Sequence, residues 1–164
     1  MDMFQSEKNA LEKLADAIPG LKGYRDKEAR RDTDKRLRDY MAGRIDGVRK
    51  SIDDVKRAQV DQGKLDGLAE LDRLSQKLRK AADSVRHASY GYSGFFDQVK
   101  IRDAELDRIY QYDLSLISDI EALENSAKKD PTKTIDEQKR GWEDKIDALE
   151  TKIDGRKNLF TTTG

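Results

Sequence analysis

The sequence predicts an all-α fold, an elongated antiparallel helical bundle with coiled-coil-like seams, built from four main helices and a short N-terminal one. Three observations predict it. Apolar residues recur at spacings of three and four through most of the 164 residues, the signature of amphipathic helices. No segment alternates convincingly as a strand. The stripes are narrow and their charged faces wide, so each helix must bury its stripe against others.

The elements follow in order. A short helix is expected over about 4–17, with Phe4, Leu11, Leu14, Ala15 and Ile18 on one side; Pro19-Gly20 ends it and Gly23 keeps the connection tight. A long helix over about 25–62 carries Leu37, Met41, Ile45, Val48, Ile52 and Val55, and Gly63 is its natural stop. The third, about 65–88, carries Leu68, Leu71, Leu74, Leu78, Ala81 and Val85, with Asp66 as the expected cap. After a break at 90–96, a fourth helix over about 103–128 carries Leu106, Ile109, Tyr110, Leu116, Ile117, Ile120 and Leu123. Asp130-Pro131 interrupts it, and Thr134 with Glu137 forms a capping box for the last helix, about 134–158. Its stripe is Ile135, Trp142, Ile146, Leu149 and Ile153, with Phe160 at the end, and the tail 161–164 should fray. Length suggests one domain over 1–164, and short connections favour antiparallel neighbours.

Composition narrows the function. Charged residues make up 40% of the chain and hydrophobic ones 35%, a balance that raises disorder as a rival. The net charge is zero, however, and the ordered apolar spacing answers that rival. Without cysteine, disulfides and cysteine-ligated zinc are impossible. No apolar run approaches the ~20 residues of a membrane-spanning helix. Met1 to Ala10 is polar and carries acids, unlike a secretory signal, so the cytoplasm is the expected compartment. A neutral total gives no bulk electrostatic reason to bind nucleic acid, which is not expected as a partner.

Four features stand out. Gly43 and Gly47 lie four apart inside the long helix, where each costs ~1 kcal/mol relative to alanine. Close approach of another helix is the favoured explanation, and a hinge is the other. Charge is uneven: residues 22–57 carry a net of +5 and residues 103–150 a net of −7. Lys27, Arg31, Lys35 and Arg38 share one helical strip that offers a surface for phosphate or anionic lipid, although Asp26, Glu28, Asp32, Asp34 and Asp39 interrupt it. Packing of the basic helix beside the acidic ones, or plain solvation, is favoured over a ligand. The segment 90–96 holds Tyr90, Tyr92, Phe95 and Phe96, expected to plug one end of the bundle rather than form a mobile binding loop. Finally, the short first helix has mixed charges, so docking on the bundle is favoured over lipid insertion.

Catalysis has little support. One histidine cannot supply the paired Glu-x-x-His motifs of a di-iron bundle, and His87 is expected to hydrogen-bond near its bundle end. There is no phosphate-binding glycine loop and no nucleophile elbow. Acidic pairs such as Asp53/Asp54 and Asp32/Asp34 are expected outside apolar pockets, leaving a carboxylate-only magnesium site as the remaining enzymatic option. No cofactor, metal or catalytic residue is assigned.

The string Ile18-Pro19-Gly20-Leu21-Lys22-Gly23-Tyr24, then Glu28-Ala29-Arg30-Arg31-Asp32, and later Tyr90-Gly91-Tyr92-Ser93-Gly94-Phe95-Phe96-Asp97 resembles a group of uncharacterised bacterial all-helical proteins, over about 18–123. That resemblance implies a bacterial helical protein and carries no activity or catalytic residue with it. A fainter, architectural similarity links the short amphipathic start and long charged hairpin to phage-shock protein A and the ESCRT-III-like membrane remodellers. The expected function is a non-enzymatic helical interaction protein, an adaptor or scaffold with a protein partner and scope for self-association. The alternative is a peripheral membrane-associated or membrane-remodelling protein, and a carboxylate-metal enzyme is third. Membrane binding is expected to be weak or absent.

Overall fold

A computed structural model describes residues 11–23, 26–88, 103–128 and 134–159. Helical turns over 11–17 form α1; α2 is Arg30–Asp61, α3 is Leu68–Arg86, α4 is Asp103–Ser126 and α5 is Ile135–Leu159. Among the described residues the fold is all-α, with four long helices and the short N-terminal one.

Local chemistry sets most of the ends. A single 3₁₀ turn, Lys27–Ala29, precedes α2, and the Asp26 carboxylate accepts the Glu28 N–H at 3.1 Å. The α-helix therefore begins five residues later than the apolar pattern suggested. At its other end Gly63 sits at φ +69°; its N–H donates to the Val60 carbonyl and the Lys64 N–H to the Gln59 carbonyl. That pair of bonds is the Schellman arrangement, and glycine takes the left-handed position without a Cβ penalty.

The expected cap of α3 is wrong. Gly67, at φ +83°, occupies the N-cap, no side chain caps the helix, and the Leu71 N–H donates to the Gly67 carbonyl. Asp66 thus lies one position too early to reach the free amides of the first turn, and Leu65 is left 67% exposed in the connection. The capping box of α5 forms as expected: the Thr134 N–H donates to Glu137 Oε2 at 3.1 Å, and the Glu137 N–H to Thr134 Oγ1 at 3.2 Å.

Ion pairs and hydrogen bonds give the register. In the α2–α3 hairpin, Arg86 reaches Asp46, Ser75 reaches Asp53 and Lys56 reaches Asp72, so the two helices run antiparallel. The α4–α5 hairpin is antiparallel too, through Trp142 to Ser126, Lys152 to Asp119 and Arg156 to Asp113. The hairpins lie side by side. Lys139–Glu70, Arg73–Glu143 and Lys77–Asp147 place α3 beside α5, running parallel, and Arg44 with Glu121 and Glu124 places α2 beside α4. The basic helix α2 therefore does pack against acidic α4.

The expected stripes line the interior. Leu37, Met41, Ile45, Val48 and Ile52 meet Leu71, Leu74, Leu78 and Val85, with Leu106, Ile109, Leu116, Ile120 and Leu123 from α4 and Trp142, Ile146, Leu149 and Ile153 from α5, all buried. The first helix docks through Leu14 and Ile18, which are buried in the same core. The Thr33 hydroxyl on α2 fixes the following connection by donating to the Gly23 carbonyl at 3.1 Å.

Gly43 and Gly47 do not mark a close helix approach. Both are exposed, and a Cβ built on either meets nothing within 4 Å. They fall between the inward positions 41, 45 and 48, on the solvent side of α2. On α2 and α3 the buried small residues include Ala42, Ala81 and Ala82.

Candidate functional site

The sequence-derived strip does not form one surface. Arg31 and Lys35 are exposed, and Lys35 pairs with Asp39 at 3.4 Å. Lys27 lies in the 3₁₀ turn, its side chain outside the described residues. Arg38 turns inward and is buried, because it follows Asp34 and Leu37 round to the core face of α2. Tyr90, Tyr92, Phe95 and Phe96 lie outside the described residues, as do Phe4, Asp130-Pro131, Phe160 and the tail.

Arg38 belongs to a group that the sequence reading missed. Its Nε donates to Asp34 Oδ2 at 2.8 Å, and its Nη1 donates to the Arg86 carbonyl, at the last residue of α3, at 2.6 Å. Asp34 Oδ1 accepts from Arg156 Nη2 at 2.7 Å. Arg156 Nε donates in turn to Asp113 Oδ1 at 2.7 Å, and its Nη2 lies 3.2 Å from Asp113 Oδ2. Asp34 and Arg38 come from α2, Asp113 from α4 and Arg156 from α5, while α3 contributes its terminal carbonyl. Every one of the four side chains is less than a tenth exposed. The expectation that Asp32/Asp34 stays out of the interior is therefore corrected for Asp34: the carboxylate is buried among its two arginine partners.

The four charges sum to zero. Burying an isolated ion costs several kcal/mol, and short, charge-assisted contacts to opposite charges offset that cost. Arg156 suits the position because its planar fork serves two carboxylates at once, which a lysine does not match. It also reaches diagonally across the bundle, from α5 to α2, and so links helices that are not neighbours. The sequence did contain a signal: Asp34, Asp113 and Arg156 fall in phase with the apolar stripes, Asp113 between Ile109 and Leu116, and Arg156 three residues beyond Ile153. Charges on core-phase positions of three helices mark a buried cluster.

Outside the cluster, charge serves the seams. Arg44 donates to both oxygens of Glu124, and to Glu121 and the Tyr40 hydroxyl, and its guanidinium lies over the Tyr40 ring at 5.4 Å. The hydrogen bond to Glu124, opposed by burial, holds its pKa above the ordinary arginine range. Tyr112 donates to the Lys152 carbonyl at 2.7 Å, and burial, together with nearby Asp113, raises its phenol above the usual value. Among the described residues no three His, Cys, Asp or Glu side chains stand together as a metal-ligand group.

Among the grooves that the described residues line, two bear on partner binding. One, of about 490 Å³, runs between α1 and α4 along Leu14, Ala17, Leu114 and Ile117. The other, of about 430 Å³, follows the outer seam of α2 and α3 from Arg49 to Val60. Val60, 47% exposed, and Leu65, 67% exposed, are the exposed large apolar side chains among the described residues, and both lie near the α2–α3 turn. None of the described helices is long and apolar enough to cross a membrane. No protein-family model matches the sequence, and no curated protein or solved structure was found to match it.

Proposed function

We propose that the chain is a non-enzymatic helical interaction protein, an adaptor or scaffold of the bacterial cytoplasm that engages a protein partner. One observation carries this reading: the open α2–α3 seam ends beside exposed Val60 and Leu65, while the buried charges of the Asp34–Arg38–Asp113–Arg156 cluster are spent on one another. A bundle whose central charge cluster is internally neutralised and whose outer seam is open and partly apolar is suited to holding something else. Exposed apolar side chains grouped at one place are a common mark of contact surfaces.

The peripheral-membrane reading depends on α1. Its Leu14 and Ile18 are already buried against the bundle, so a lipid surface must compete with that packing.

Affinity capture of the tagged full chain from its host, with mass spectrometry, tests the adaptor reading. A partner recovered in fixed stoichiometry, and lost when Val60 and Leu65 are replaced by serine, is the expected result. Capture unaffected by those changes would remove the seam from the reading.

A further inference from the structure

The ladder along the outer α2–α3 seam has one irregular rung. Asp46 pairs with Arg86, Asp53 with Ser75 and Lys56 with Asp72, each an acid set against a donor. In that antiparallel register the residue opposite Arg49 is Arg79, and both line the groove. Two cations thus share a level where every other rung carries an acid. Arg49 is ion-paired with Asp46 and Asp53 only at 3.6 and 3.7 Å, longer than a hydrogen bond, and its Nε is buried with no hydrogen-bond partner among the described residues. Arg79 is exposed and makes no ion pair among the described residues. The acids of the groove are engaged already, Asp53 by Ser75 and Asp72 by Lys56. Arg57 adds a third underused cation, paired only at 3.5 Å with exposed Asp54.

The apolar end is a separate observation. Val60 closes the same groove, three turns of α2 beyond Arg49, or about 16 Å along the helix. A ligand that satisfies both ends must carry negative charge at one end and an apolar group at the other, about three helical turns apart.

We propose that this seam is the docking site for an acidic amphipathic helix of a protein partner, with carboxylates on Arg49 and Arg79 and an apolar side chain over Val60. The proposal rests on the adaptor reading and names the class of partner that reading requires. Carboxylates are the complementary group because a guanidinium fork receives two oxygens in one plane. An apolar side chain on Val60 removes exposed apolar surface at the other end of the groove.

The probe is a fluorescein-labelled peptide of about 18 residues, long enough to hold a helix on a surface, with leucine at i, i+3, i+4 and i+7 and glutamate elsewhere. Its lysine counterpart is the control. Anisotropy with the full chain should show saturable binding of the glutamate peptide alone. Arg79→Glu should weaken it about tenfold or more, with added salt acting in the same direction, and Val60→Ser should weaken it independently. Arg79 is exposed, so circular dichroism of that variant should match the parent. Equal binding of both peptides, no binding of either, or binding indifferent to Arg79→Glu overturns the site. The two readings fail differently: a native partner held equally by the parent and by Arg79→Glu removes the groove and keeps the adaptor, whereas a chain that holds no partner removes both.

Discussion

Arg156 sets the strongest expectation at the scale of single residues. Replacing it with leucine leaves Asp34 and Asp113 buried without their shared cation, a change that costs about 3–5 kcal/mol. Urea denaturation should show it as a large fall in midpoint. Replacing Asp34, Arg38, Asp113 and Arg156 together by apolar residues of similar volume should recover much of that loss, because no charge is then stranded. A single Arg156→Leu variant as stable as the parent would show that the cluster bears little on folding. Trp142 is the apolar counterpart. It is buried, and its indole N–H donates at 2.6 Å to the Ser126 carbonyl at the end of α4. Trp142→Ala should cost ~3–5 kcal/mol, and Trp142→Phe should cost less but still expose the loss of a hydrogen bond.

Within the elements, the two exposed glycines of α2 reverse an intuition. Gly43 and Gly47 have room for a Cβ and ordinary helical φ, so Gly43→Ala and Gly47→Ala should each stabilise the protein by up to ~1 kcal/mol. A fall in the thermal midpoint on either change would revive a packing or hinge role. Gly63→Ala should do the opposite, since φ +69° is strained for any residue with a Cβ and the Schellman bonds depend on it. Thr134→Ala should cost ~1 kcal/mol by removing half of the capping box. These four single changes, measured by the same melting experiment, separate local backbone chemistry from tertiary packing.

For the whole molecule, the seam between α4 and α5 contributes to the response to alkaline pH. Burial raises the Tyr112 phenol, so the folded state favours its neutral form. Its stabilising contribution is complete below the unfolded value near 10, and it is lost as pH rises through the higher folded value. Melting temperature should therefore fall on strongly alkaline titration, and Tyr112→Phe should flatten that fall while losing the bond to the Lys152 carbonyl. An identical alkaline profile in the variant would assign the fall to other groups. Anionic vesicles test the exterior. Little co-sedimentation is expected at physiological salt, because Lys35 is paired, Arg38 is buried and the Debye length is about 8 Å. Strong sedimentation that vanishes when the chain starts at Gly20 would favour the membrane reading and a detaching α1.

Periodicity alone determined the class, the four long helices and nearly every core residue, because apolar stripes on several helices of one chain are buried against one another. The turn chemistry of Gly63 and the Thr134–Glu137 box was legible for the same local reason, since their bonds close within a few residues. Tertiary structure alone decided how the hairpins lie. Short connections predict antiparallel partners within each hairpin, and nothing in the pattern selects α3 beside α5 and α2 beside α4. The same holds for the charges. Arg38 and Asp34 read as members of a solvated strip because 40% of the chain is charged and most of those residues are on the surface. Their burial depends on Arg156, 122 residues away from Asp34 in the chain, and a contact at that separation is specified by packing rather than by any local spacing.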